Sequence, residues 1–515
     1  MNITMILDMA ADAFGDRVGV VAGAQRLTYA ELRQRAYAGA AYLRVSGASR
    51  VALLDVNSPA AAVAIFAAAY AGIPYVPLNY RLTRAEINAL LARIAPAAVI
   101  AGGEHLALVD EREGIRVIAR EAFLNLPDTD EALPEATDDP RAIAVQLFTS
   151  GTTGQPKAAI LRHENLMGYI IGTVEFACAG DDDAILVTVP PYHIAGISAV
   201  LSSTYACRRM VQLEAFDAAA WIDAVQREQV SNAFVVPTML GRIVDLLEKS
   251  AYAKLPALRS LAYGGGKMPA VTIERAMRLL PQVDFTNAYG LTETSSTIAV
   301  LGPEDHRSAI TSNQPEVRRR LSSVGRPTAA VEIEIRAEDG RVLGAGEAGL
   351  VFVRGPQVSG EYLSQGQAVS QPQGSPLDAE GWFATRDRGY LDADGYLFLD
   401  GRADDVIVRG GENISPGEIE DVLLQHPAIA DAAVVAIADE QWGEGVAAAI
   451  VLKPDAQASI EELQDFVKRQ LRSSRVPQVI AFRDQLPYNE LGKVLRRQVR
   501  QELAELQPQP QTAVA

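Results

Sequence analysis

A chain of 515 residues is longer than one hydrophobic core can fill, so two or three domains are expected, with 49% hydrophobic residues to bury. A formal charge of −17 argues against nucleic acid or an anionic membrane as the main partner, while leaving room for local cationic sites. Two cysteines, Cys178 and Cys207, without CxxC or metal-like spacing, argue against a structural zinc and fit a reducing compartment.

The opening MNITMILDMAADAFGD lacks the basic start and small-residue cleavage site of a secretory signal, so a cytoplasmic address is expected. LTYAELRQRAYAGAAYL predicts a helix behind a Thr28 cap, and VALLDV from Val51 a short buried strand, the start of α/β layering. Residues 59–78 are apolar enough to suggest a membrane span, but they are mostly alanine and broken by Gly72, Pro74 and Pro77. They read instead as a buried helix followed by a strand, so no transmembrane segment is expected. Next comes a helix from Arg84, capped by Thr83 with Glu86 completing a capping box. Residues 128–141, acidic and proline-bearing, read as a surface loop.

TSGTTGQPK, residues 149–157, carries the most chemistry. Gly151 and Gly154 let backbone N–H groups approach an oxyanion, Thr149, Ser150, Thr152 and Thr153 offer hydroxyls, and Lys157 adds a point charge: a triphosphate cradle. It is not a P-loop of the GxxxxGK[ST] kind, because Pro156 stands where a glycine is needed and blocks an immediate helix. Further on, VTVPPYHIAGI places Tyr192 and His193 just past a strand, making His193 a candidate pocket residue. SNAFVVPTML predicts a buried strand ending in Pro237. LRSLAYGGGKMPAVTIERAMRLL predicts a strand, three glycines (Gly264, Gly265, Gly266) that admit a flat ligand close to the backbone, and a helix opened by Pro269.

VDFTNAYGLTET delivers Tyr289, Thr292 and Glu293 from a strand, suited to base stacking, phosphate contact and a magnesium ligand, since magnesium prefers hard oxygen. SSVGRP, GLVFVRGP and GWFATRDRGYLDADGYLFLDGR predict a smaller β subdomain in which Asp387 can accept ribose hydroxyls. At GRADDVIVRGGENISPGEIE the pattern changes to a compact α+β unit of roughly a hundred residues. Ser415, Pro416 and Glu418 read as cap, first-turn proline and capping box of its first helix. LPYNELGKVLRR then sets Lys493 on an exposed loop before a helix, and the final QPQPQTAVA is expected to be disordered.

Five motifs in this order, TSGTTGQPK, YGLTE, GWFATRD, GRADDVIVRGGENISPGEIE and LPYNELGK, resemble the adenylate-forming superfamily of acyl-CoA synthetases, standalone adenylation domains and firefly-type luciferases, over nearly the full length. The resemblance implies an α/β fold: a large multi-layer N-terminal domain with a β subdomain, residues 1–403, and a small mobile α+β C-terminal domain, residues 404–515, turning about a hinge at Asp404. It implies that residues 149–157 hold the ATP phosphates, Tyr289 stacks on adenine near Gly265 and Gly266, and Glu293 holds magnesium. Asp387 and Arg402 would bind ribose, and Lys493 would bridge the substrate carboxylate and the α-phosphate. The implied reaction joins a carboxylic acid to ATP as an acyl-adenylate, releases pyrophosphate and passes the acyl group to a thiol. GGEN favours coenzyme A, with Gly410 and Gly411 leaving room for a pantetheine arm; an acyl carrier protein is the alternative acceptor, and a luciferase-like oxygenase a remoter one. Two residues depart from the family pattern: Ala158, and Arg386 where TGD has glycine. A non-glycine residue disfavours positive φ, and the simplest reading of Arg386 is a side chain in solvent. The acyl pocket is placed among residues 192–197, 236–239, 263–266 and 294–296, with His193 its only basic group, which predicts an uncharged aliphatic or aromatic acid of modest size.

Overall fold

The computed structural model describes residues 1–128, 139–149, 156–249, 255–364, 367–369, 377–489 and 493–506. Two large helix-backed sheets form its N-terminal part. The nine-stranded sheet runs from Arg326–Pro327 at one edge through Ser296–Leu301, Asp284–Leu291, Ser260–Gly264, Asn232–Val235, Ala184–Val187, Arg209–Gln212 and Val18–Ala22 to Gln25–Thr28. Its inner strands pair in parallel, so their loops at the C-terminal ends open on one side. The eight-stranded sheet contains the antiparallel pair Ile143–Thr149 and Lys157–Arg162, the strands on either side of the hydroxyl-rich segment. A four-stranded antiparallel sheet, Glu332–Arg336, Gly349–Arg354, Phe383–Leu391 and Leu397–Arg402, follows. After Arg402 the chain changes sheet: Ile407–Arg409 already belongs to a five-stranded sheet with Glu412–Ile414, Gly443–Leu452, Ile429–Asp439 and Val479–Phe482.

The core explains the alanine-rich stretch. Helix Pro59–Ala71 is buried on every side from Pro59 to Tyr70, so it shows no amphipathic stripe. Its small side chains let helix Tyr29–Ser46 come close: a Cβ on Gly39 would stand 2.9 Å from that of Ala67. A fully buried Phe66 or Ile65 contributes roughly 1.5–3 kcal/mol by leaving water. Helix Arg84–Ile94 begins at Thr83, and both halves of its capping box are formed. Among the described residues no helix is long and apolar enough to cross a membrane.

Three local expectations change. The strand expected to end at Pro237 ends at Val235, and Pro237 opens helix Pro237–Lys249, where a missing N–H does no harm. The SSVGRP segment joins the nine-stranded sheet through Arg326–Pro327, pairing with Ala299 and Val300, instead of the β subdomain. Ser415 does not cap helix Pro416–Leu423: its hydroxyl donates to the Asp400 carbonyl, and Glu418 pairs with Arg475. Residues 129–138 of the expected acidic loop at 128–141, and the tail from 507, lie outside the described residues.

Candidate active site

The C-terminal ends of the strands and the edge of the four-stranded sheet bring distant motifs together. Tyr289, at the end of Asp284–Leu291, donates its hydroxyl to Asp387 Oδ2 at 2.5 Å. Asp387 sits on Phe383–Leu391, directly paired across the sheet with Arg402, whose Nε lies 3.2 Å from Oδ1. Arg402 also donates to the Thr385 carbonyl at 2.9 Å, and the Thr385 hydroxyl accepts from the Asp387 N–H at 3.1 Å. Burial pushes the Asp387 carboxyl above its ordinary range, opposed first by Arg402 and then by the Tyr289 hydroxyl. The pair is thus held by a buried network whose members orient one another.

Glu293 lies one short helical turn beyond Tyr289, in Thr292–Thr294. Its Oε1 accepts from the Tyr362 hydroxyl at 2.6 Å, while its backbone carbonyl accepts from Ser359 N at 2.9 Å. Tyr362 comes from strand Glu361–Ser364, which pairs with Lys157–Arg162, and the Lys157 ammonium stands 5.6 Å from the Tyr362 ring centre. The lysine that closes the hydroxyl loop and the carboxylate expected to hold magnesium therefore share one tyrosine. Sequence reasoning missed Tyr362; only its place in a strand after a glycine, GEYL, hints at it. The carboxylate fits magnesium chemically, being a hard oxygen donor fixed through one oxygen with the other available. Among the described residues no group of three or more His, Cys, Asp or Glu side chains is placed to hold a metal.

Lys493 reaches this cluster from the other end of the chain. Its ammonium is held below the ordinary lysine range, first by desolvation and then by Arg402, with Asp387 and Glu293 opposing. Its residue surface still reaches solvent, so water shares its solvation despite the surrounding protein. The loop is closed by Asn489: the Lys493 N–H donates to Asn489 Oδ1 at 2.9 Å, and Asn489 N donates to the Lys493 carbonyl at 2.8 Å. His193 precedes helix Ile194–Tyr205 and is pushed down to about 3 by burial, then by the charges of Lys493 and Arg81. The His193 ring packs on Tyr192 at 4.5 Å, and Tyr192 on Tyr80 at 5.4 Å, an aromatic edge beside the charged cluster.

Other expected residues have local structural roles or lie outside the described residues. Thr149 accounts for its hydroxyl locally, on the Lys157 carbonyl at 3.4 Å, and Ser150, Gly151, Thr152, Thr153 and Gly154 lie outside the described residues. Of the three glycines, Gly264 is required by the neighbouring strand, since a Cβ there would meet the Ala288 carbonyl at 2.2 Å; Gly265 is required by φ +80°. Tyr263 does not line a pocket: it is fully buried and bonded to His306 at 2.8 Å. Thr294 and Ser295 are likewise buried, and the Thr294 hydroxyl shapes the turn by bonding Leu291 and Ser296. Gly410 and Gly411, at φ +57° and +82°, form the two-residue turn between Ile407–Arg409 and Glu412–Ile414. Both central residues at positive φ is what a tight hairpin demands. Thr292 keeps its place beside Glu293. The charge of Arg81 also acts on His193, so His193 is not the sole basic influence on the expected acyl pocket. Ala158 is a buried strand residue paired with Phe148 and Leu363. Arg386 adopts φ +63° with its side chain exposed.

Comparison with known proteins extends over the same elements. Residues 7–363 match the AMP-binding enzyme family and residues 418–493 the AMP-binding enzyme C-terminal domain. A feruloyl-CoA synthase from Amycolatopsis sp is 32% identical over 491 residues, covering 93% of this chain and 94% of that protein. A 2-succinylbenzoate–CoA ligase from Geobacillus sp. (strain WCH70) is 33% identical over 492 residues, with 94% of each covered. The o-succinylbenzoate coenzyme A synthetase of Bacillus subtilis, solved with ATP and magnesium ion, superposes with a TM-score of 0.80 at 28% identity, covering 96% of this chain and 98% of that one.

Proposed function

The chain belongs to the AMP-binding enzyme family, and from that premise we propose that it joins a carboxylic acid to coenzyme A at the expense of ATP, through an acyl-adenylate. The observation that carries the reading is the arrival of Lys493, from the last α+β unit, at the Glu293, Asp387 and Arg402 cluster of the preceding sheets. In the first half-reaction an oxygen of the acid attacks the α-phosphorus of ATP, and the bond to the β-phosphate bridging oxygen breaks, pyrophosphate leaving with the electron pair. Both reactants are anions, so a cation placed between them in advance is the largest catalytic contribution available, and Lys493 is that cation.

Tyr289 and Gly265 bracket the adenine, and Asp387 with Arg402 takes the ribose. Each Asp387 oxygen spends one acceptor position on Tyr289 or Arg402 and keeps another for a sugar hydroxyl. Lys157, with the hydroxyl loop, holds the triphosphate, and Glu293, steadied by Tyr362, holds magnesium, which when bound neutralises the leaving pyrophosphate. In the second half-reaction the coenzyme A sulfur attacks the acyl carbonyl and AMP leaves. Residues 1–403 act as the adenylating core and residues 404–515 as the part that turns about Asp404 between the two steps.

The aromatic edge of Tyr80, Tyr192 and His193 favours an acid with an aromatic tail. Feruloyl and succinylbenzoate, the acyl groups in the names of the two relatives, both carry a benzene ring. Those relatives are also named for coenzyme A, so it is the acceptor proposed in preference to a carrier protein. Pyrophosphate release over a panel of aryl and aliphatic acids, with free coenzyme A and then with a carrier protein as acceptor, tests the reading. No acid-dependent pyrophosphate with any member would reject it.

A further inference from the structure

A lysine ammonium sits at the end of a long flexible stem, so its placement depends on how the backbone beneath it is held. For Lys493 that backbone is held by one residue. Asn489 N donates to the Lys493 carbonyl at 2.8 Å, and Asn489 Oδ1 accepts from the Lys493 N–H at 2.9 Å. Both backbone polar groups of Lys493 are therefore taken by Asn489. The pairing continues outward: Tyr488 lies opposite Val494 in an antiparallel bridge, and Leu495 N donates to the Pro487 carbonyl at 2.8 Å.

Both flanks of this pairing are fastened to the same strand. On one side the Tyr488 hydroxyl donates to Asp431 Oδ2 at 2.6 Å, and Asp431 Oδ1 accepts from Ala432 N at 2.9 Å. On the other, Arg496 donates to both oxygens of Glu420, at 2.6 and 2.9 Å, and to the Val434 carbonyl at 2.6 Å. Asp431 and Val434 belong to strand Ile429–Asp439, which pairs with Gly443–Leu452 along its length. They are three residues apart, about 10 Å of extended chain, so the segment with Lys493 rests on two fixed points of a sheet. The two fastenings differ in kind. Glu420 is buried, and its bidentate pair with Arg496 secures the fold of the unit. Tyr488 is exposed, so water can replace its bond to Asp431 at little cost in stability, and what that bond contributes is direction.

We propose that Asn489 is a positioning residue for Lys493 and Tyr488 its anchor. The carboxamide fixes where the lysine leaves the backbone, and the phenol fixes the carboxamide's own segment to the sheet. The proposal rests on the ATP-dependent reading above and deepens it, naming what preorganises the lysine for the first half-reaction.

The experiment measures acid-dependent pyrophosphate exchange, and thioester formation from supplied acyl-adenylate, for the unaltered chain, Asn489→Ala, Asn489→Asp and Tyr488→Phe. Asn489→Ala and Tyr488→Phe are also each combined with Lys493→Ala, and thermal melts confirm folding. The acid is the panel member that releases most pyrophosphate. Asn489→Ala is expected to lower the kcat of exchange by about 10- to 100-fold, the range of a misplaced catalytic group, with KM for ATP within about twofold. Asn489→Asp keeps the accepting oxygen and should recover most of the rate. Tyr488→Phe removes only a hydroxyl and should lower the same rate by a few-fold. Thioester formation should hold throughout. With Lys493→Ala no ammonium is left to position, so neither change should cost anything further. An unchanged rate in Asn489→Ala, a full further loss in the Lys493→Ala background, equal losses in both half-reactions, or an Asp variant as slow as the Ala variant would overturn the assignment. Absence of acid-dependent exchange in the unaltered chain would instead count against the ATP-dependent reading itself.

Discussion

At the scale of single residues, charge placement decides the chemistry. In the proposed mechanism Lys493 meets two anions only in the first half-reaction, so Lys493→Ala should reduce acid-dependent pyrophosphate release by about 10²- to 10³-fold, the cost of removing one preorganised charge contact. Thioester formation from supplied acyl-adenylate should be largely retained; an equal loss in both half-reactions would show that the lysine supports the fold of the site. Tyr362 holds Glu293 through a single hydroxyl, and Tyr362→Phe removes that bond without changing ring volume. The magnesium concentration needed for half-maximal activity should rise several-fold, while an unaltered requirement would place the metal elsewhere. His163 gives the pH dependence. It is buried, accepts a hydrogen bond from Ile3 N at 3.4 Å on Nδ1, and is pushed down from 6.5 to about 4 by burial and then by the N-terminal ammonium. Its folded pKa lies below its unfolded one, so the unfolded chain binds more protons between the two values. The stabilisation is complete above about pH 6.5 and is lost as pH falls towards 4, about 3 kcal/mol in all. Urea melts at pH 7 and pH 4.5 should show His163→Asn losing about 2–3 kcal/mol less than the unaltered chain over that interval, and equal losses would refute the assignment.

At the scale of elements, the short turn Ala403–Asp405 separates the strand that carries Arg402 from Ile407–Arg409 in the next sheet. The rotation proposed for residues 404–515 would be absorbed at this turn. Asp404→Pro fixes φ and should hold the Lys493 loop at the cluster. Pyrophosphate exchange should survive while thioester formation falls. If both survive at full rate, the pivot is at another residue. The same elements show why local patterns mislead. SPGE reads as a capped helix start, yet the Ser415 hydroxyl makes no cap bond and donates across the linker to the Asp400 carbonyl. Gly410 and Gly411 read as clearance for a ligand, yet a two-residue hairpin turn already requires both.

At the scale of the molecule, the last α+β unit is latched to the rest by Lys267, from the GGGK loop, whose ammonium lies 2.6 Å from Asp421 and 3.0 Å from the Gly417 carbonyl. These partners sit on helix Pro416–Leu423, which must move if the unit turns. Lys267→Met should therefore loosen the arrangement seen here and shift the balance of the half-reactions towards thioester formation by a few-fold, since an exposed pair contributes about 1 kcal/mol or less. Separate measurement of pyrophosphate exchange and of thioester formation from acyl-adenylate checks this, and parallel changes in both would exclude a latch.

The sequence alone determined the layering, the order of the motifs and the elements whose signals are local. Thr83 with Glu86 and the buried alanine helix are legible because capping and side-chain size act within a few residues. The tertiary structure decided which side chains share the site. Tyr362, Asn489 and Arg81 carry no local signature, and they matter because pairing of Glu361–Ser364 with Lys157–Arg162, closure of the Lys493 loop and packing beside His193 bring them to groups far away in the chain. It also decided how Arg386, which stands where the resembling family has glycine, is held at φ +63°: its neighbours Thr385 and Asp387 are bonded to Val351, Tyr289 and Arg402 on other strands.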